Sequence, residues 1–182
     1  MIIAGIDPGI RGGLAVIHVN GGSAPLLLEA VDIPTVGTGA RERVDVIALR
    51  DWVRKQKPEW AYIERAQAMP KQGSSSGFKY GRSVGAIEAI LVCCEVPVTI
   101  IEPSAWKAFH HLRGKDKEAG RQRAIEIFPH AHKCFARKMD HGRADAALIA
   151  FFGASPRPAG SQVLNEDAAS TASGLENIPE LA

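Results

Sequence analysis

The stretch "MIIAGIDPGIRGGLAVIHV" at the start of the chain constrains the fold more than any other. An apolar run ends in Asp7, turns through Pro8 and Gly9, and resumes as a second apolar run. "IIAGID" and "GLAVIHV" read as two strands joined by the glycine-rich turn "PGIRGG". A link this short leaves no room for a parallel crossover, so the pair is antiparallel. It also leaves a carboxylate at the end of a buried strand, which is costly unless a hydrogen bond, a basic side chain or a metal ion compensates it.

The rest of the chain alternates strands and helices. "LLLEAVDIP" reads as a third strand ended by Pro34, and "GTGARERV" as a loop. In "VDVIALRDWVRKQK", Val46, Leu49, Trp52 and Val53 recur at helical spacing. "EWAYIE" is a short strand ending at Glu64. "AQAMPKQGSSSGFKYG" starts as a mobile loop, "RSVGAIEAILVCCE" is a helix and "PVTIIEP" a buried strand. "SAWKAFHHL" is a short helix with Ser104 as its N-cap. "RGKDKEAGRQRAIEIF" is a basic loop entering a helix, and "GRADAALIAFFGA" is the last strong helix. This order predicts an α/β fold: a mixed five-stranded sheet flanked by helices, over residues 1–154. Residues 155–182 are rich in Pro, Ser and Ala without a sustained apolar period, and read as disordered.

With 46% hydrophobic residues in 182, the chain can fill one domain core. No apolar run approaches the roughly 18 residues of a membrane span. No secretory signal is legible, and Cys93, Cys94 and Cys134 fit no metal or redox spacing, which points to the cytoplasm. Adjacent Cys93 and Cys94 read as small core hydrophobes. The net charge of +2 is uneven: Arg157 stands against Glu166, Asp167, Glu176 and Glu180 in the tail, leaving a body of about +5. A modestly basic body is compatible with a nucleic-acid partner.

Three acids stand at element ends: Asp7, Glu64 and, near the start of the last helix, Asp145. In "WAYIE", Trp60, Tyr62 and Glu64 share one face. If the first and fourth strands are neighbours, Asp7 and Glu64 meet and Asp145 closes the cluster. Each has a plainer reading alone: Asp7 as a turn cap, Glu64 as a strand-end charge, Asp145 as a favourable charge near a helix N-terminus. Together they repel one another, and divalent ions remove that objection. Oxygen ligands suit Mg²⁺, and two such ions can activate a water and stabilise a leaving oxygen, which points to phosphodiester hydrolysis.

"GIDPGIRGG", "YIERAQ", "GRSVGAIEAIL", "EPSAWK" and "DHGRADAALIA", in this order, resemble the RuvC family of Holliday-junction resolvases, within the RNase H-like fold. "GRADAALIA" resembles the phage and prophage branch. The resemblance implies a homodimeric nuclease that resolves four-way or branched DNA by paired nicks, leaving 5′-phosphate and 3′-hydroxyl ends. It implies two Mg²⁺ ions, with Mn²⁺ able to substitute, held by Asp7, Glu64 and Asp145. The family's fourth position is acidic or histidine, about one turn before the last aspartate. Here Gly142 lies three residues before Asp145, His141 four and Asp140 five. His141 shares a helical face with Asp145 if the helix extends that far, as a further ligand or a general base. The plainer alternative is Asp140 as a helix cap and His141 in solvent.

DNA contacts are expected from Lys71, Phe78, Lys79, Arg82, Lys107, Lys115 and Lys117. Lys107, Lys115 and Lys117 fall where the resemblance places basic contacts. Gln67 stands near the family's wedging aromatic, with Phe78 and Tyr80 later, in contact with DNA or packed in the core. The helix "VGAIEAILVCC" suits either a dimer interface or the core. Two other readings compete: a junction-binding module without catalysis, and an actin-like nucleotide-binding phosphotransferase, which also starts from a strand-end aspartate and a glycine turn.

Overall fold

The computed structural model describes residues 1–22, 24–66, 73–155 and 162–163. The opening hairpin forms as its sequence demands. Strand β1 (Ile2–Asp7) pairs antiparallel with β2 (Gly13–His18), and β2 with β3 (Leu26–Asp32). The segment read as a loop after Pro34 holds a small antiparallel ladder, β4 (Thr35–Val36) with β5 (Arg43–Val44). Helix α1 (Val46–Gln56) starts where the Asp45 carboxylate accepts the Ile47 and Ala48 N–H groups at 3.1 Å. It buries Leu49 and Val53, while Val46 stays exposed.

Strand β6 (Trp60–Glu64) then lies parallel to β1, and β7 (Val98–Ile101) parallel to β6. Between them runs α2 (Ser74–Cys93), which starts eight residues before the expected Arg82. The serines that suggest a loop sit in its first turn, where Ser is tolerated because those N–H groups lack helical partners. Val84, Ile87 and Leu91 of α2 are buried, so this helix supplies core. Cys94, partly buried, packs against the core as expected, whereas Cys93 is exposed, which corrects its reading as a core hydrophobe. Helix α3 (Pro103–Phe109) has Glu102, not Ser104, at its N-cap, because Pro103 fits the first helical position, where no N–H is needed. Helices α4 (Lys117–Ile127) and α5 (His141–Gly153) follow.

The five expected strands form the sheet in the order β3-β2-β1-β6-β7. A two-residue strand, β8 (Gln162–Val163), adds antiparallel to the β7 edge, within a tail read as wholly disordered. The other tail residues from 156, with Gln67 and Lys71, lie outside the described residues. Among the described residues no helix is long and apolar enough to cross a membrane.

Two cores flank the sheet. Leu49, Val53, Ile87 and Leu91 pack with Ala4, Ile6 and Ile63 on one face. On the other, α5 packs with Ile3, Ala15, Trp106, Phe128 and Phe135. Missing side chains set the height of α5. A Cβ on Gly5 would stand 2.1 Å from the Ala146 carbonyl oxygen, and one on Gly13 2.5 Å from that of Gly142. The helix backbone therefore rests directly on β1 and β2.

Candidate active site

Strand alternation places the first two acids. Ile3 and Gly5 of β1 face α5, so Asp7 does too. Tyr62 of β6 reaches the α5 side, where a Cβ on Gly153 would strike its ring, so Glu64 shares that face. The parallel register pairs Ile6 with Ile63, and the next step brings the Asp7 and Glu64 ends side by side on neighbouring strands. Asp145 comes from the second turn of α5, beside α4 at Gly120, whose absent Cβ would be 3.2 Å from Asp145 Oδ1.

All three carboxyls are partly buried and harder to ionise than usual. Burial, then the Glu64 charge, pushes Asp7 up to about 6, against a backbone hydrogen bond from Gly9. Burial, then the charges of Asp7 and Glu64, pushes Asp145 up to about 7. Burial raises Glu64, opposed by its hydrogen bond from Trp106. Lys107 and Lys117 pull Asp7 and Asp145 down, yet neither forms an ion pair with them among the described residues. The side chains are not gathered into a preformed cage: among the described residues no group of three His, Cys, Asp or Glu is disposed to hold one ion. The donors nevertheless fit Mg²⁺ or Mn²⁺, being oxygen only, mutually repelling and uncompensated by a salt bridge.

His141 is the first residue of α5, one turn before Asp145, as the spacing requires. Lys117 Nζ donates to its Nε2 at 2.9 Å. Asp140 is engaged elsewhere. It is 1% exposed and accepts from Arg137 N at 2.7 Å and from Arg137 Nε and Nη2 at 3.0 and 2.7 Å. Its carboxylate anchors the turn before α5 and is spent there, so His141 is the group at this position that faces the cleft cations.

The expected DNA contacts divide. Lys107, Lys115 and Lys117 line a cavity of about 220 Å³ with Trp106, Gly120 and Asp145. Phe78, 72% exposed, Lys79 and Arg82 lie on α2, outside that cavity. The structure adds Trp106, which the sequence does not single out, and sets where Tyr80 stands, which the sequence leaves between DNA contact and core. The Trp106 indole N–H donates to Glu64 Oε2 at 2.6 Å. The Tyr80 hydroxyl, pushed up to about 12 by burial and by Asp7 and Glu64, stands in the field of the cluster. "EPSAWK" marks the segment but not the direction of an indole N–H, and "FKYG" does not show which aromatic turns inward.

The sheet order and the acidic cleft on the α5 side define an RNase H-like α/β domain. No family model and no curated protein matches the chain. Solved structures do. Thermus thermophilus RuvC in complex with a Holliday junction substrate superposes with a TM-score of 0.68 at 24% identity, covering 90% of this chain and 100% of that one. A second Thermus thermophilus RuvC structure gives 0.58 at 25% identity, covering 84% and 92%. The yeast mitochondrial Holliday junction resolvase gives 0.54 at 13% identity, covering 84% and 78%. Within the RNase H-like class, the fold is that of the RuvC-like resolvases.

Proposed function

We propose that the chain is a divalent-metal-dependent endonuclease that resolves Holliday junctions and related branched DNA. One observation carries this reading: Asp7, Glu64 and Asp145, from three elements, come close enough that the Glu64 charge raises Asp7 and the charges of Asp7 and Glu64 raise Asp145, beside Lys107 and Lys117. Asp7, Glu64 and Asp145 would hold the Mg²⁺ or Mn²⁺ ions, which when bound activate water and stabilise the charge developing on the phosphate. Lys107, Lys115 and Lys117 meet backbone phosphates, which fixes the register of the strand without reading its sequence.

His141 handles the proton. Lysine has only donors, so its bond to Nε2 marks that nitrogen as an unprotonated acceptor. When an incoming phosphate draws Lys117 away, Nε2 is free to take a proton from the attacking water. In-line attack leaves a 5′-phosphate and a 3′-hydroxyl. Paired nicks on opposite strands need two sites related by a two-fold axis, hence a homodimer. The "GRADAALIA" stretch of α5 favours the phage and prophage branch.

Asp7→Asn tests this reading. The variant should bind a synthetic four-way junction with wild-type affinity and cut none of it in Mg²⁺. Cleavage at the wild-type rate would move the active site elsewhere. Junction binding by a wild-type protein that never cuts would favour the non-catalytic module.

A further inference from the structure

We infer that Trp106 is a positioning residue for the acidic cleft, fixing Glu64 so that one carboxylate oxygen is left to meet a cation. The inference rests on the metal-dependent reading of that cleft. Trp106 is 1% exposed and packed in the α5-side core, so its ring has one orientation. Its N–H donates to Glu64 Oε2 at 2.6 Å, while Oε1 has no hydrogen bond or ion pair among the described residues. Turning Glu64 away would strand a buried indole donor, which is unfavourable.

The donor type matters as much as its place. An indole N–H donates and never accepts, so it engages one carboxylate oxygen of Glu64 and cannot itself act as a ligand. It is also neutral. A lysine at this point would neutralise Glu64 and compete with a metal ion, whereas tryptophan orients the carboxylate and leaves its charge available. The same ring seats a neighbouring cation: Lys107 Nζ lies 5.1 Å from its centroid. One buried side chain thus sets both an acidic ligand and a basic group of the cleft.

Trp106→Phe removes the N–H and keeps a ring under Lys107. Mn²⁺ binding to wild type, Trp106→Phe, Glu64→Gln and the double variant, followed by titration calorimetry, isolates the bond. Such supporting contacts are worth roughly 10–100-fold in metal affinity. Trp106→Phe should weaken Mn²⁺ binding by at least about ten-fold, with junction affinity in the absence of metal unchanged, and should add nothing in the Glu64→Gln background. Melting of each variant in EDTA confirms folding. Should Trp106→Phe fail to fold, Trp106→His, which retains a ring N–H donor, takes its place and should retain Mn²⁺ affinity within about three-fold. Wild-type affinity in Trp106→Phe, or an equal loss with and without Glu64, overturns the inference and leaves the nuclease reading standing. A wild type that binds no Mn²⁺ overturns both.

Discussion

Replacing Asp145 by asparagine should stabilise the metal-free protein while destroying its activity. Asp145 is pushed from 3.8 up to about 7, first by burial and then by Asp7 and Glu64. Its protonated form is the one the fold prefers. The sign follows: its contribution to stability is complete below about pH 4 and is lost as pH rises to about 7. At 1.36 kcal/mol per unit, the ionised group costs the fold about 4 kcal/mol at neutral pH. Part of that is repulsion shared with Asp7 and Glu64, so about 2 kcal/mol is the smaller figure for one substitution. Asparagine keeps the shape and removes the charge. For a chain of this size, 1 kcal/mol moves the melting point by about 2–4 °C, so Asp145→Asn should melt about 5–15 °C above wild type in EDTA at pH 7.5. The gap should close as pH falls towards 5. Mg²⁺ should raise the wild-type melting point, since it binds the folded state, and raise that of the variant much less. A variant that melts at or below the wild-type temperature in EDTA would refute the claim that these carboxylates are held together against their repulsion.

Three further outcomes follow from the same structure. Gly5→Ala would push a methyl group into the α5 backbone at Ala146 and Ala150, so denaturant titration should show a loss of about 3 kcal/mol or more, with cleavage falling as Asp145 is displaced. Asp140→Asn weakens the anchor to Arg137, which should cost about 1–2 kcal/mol in the same titration yet leave Mn²⁺ affinity within about two-fold. His110 is buried, its Nε2 against the Leu148 carbonyl at 2.9 Å, and burial pulls its pKa from 6.5 down to about 4. Its stabilising contribution is therefore full above about pH 6.5 and lost as pH falls to about 4, by about 3 kcal/mol. Melting of His110→Gln across that range should lack this share of the acid-side loss.

The parts of the site legible in the sequence are those where one residue's place follows from local geometry. Asp7 and Glu64 end apolar runs, and alternation along "WAYIE" fixes the face of Glu64. His141 and Asp145 are one helical turn apart whatever the helix packs on. What stayed hidden depends on contacts between distant elements. Nothing in "SAWK" shows that the indole crosses to Glu64, 42 residues away. The close seat of α5 depends on Gly5 and Gly13 facing the helix, which only strand order reveals. The early start of α2 went unread because three serines and a glycine carry weak helix propensity, yet the Ser76 and Gly77 N–H groups bond to the Gly73 carbonyl and begin the helix there. Asp140 could be a ligand or an anchor by spacing alone, and Arg137 decides for the anchor.

The most direct measurement uses the purified wild-type protein with labelled synthetic four-way junctions and linear duplex, each with and without Mg²⁺. The account predicts paired, symmetric nicks in the junction, only with the metal, and an uncut duplex. Cutting that persists in EDTA, or a junction bound but left intact in both Mg²⁺ and Mn²⁺, would contradict it.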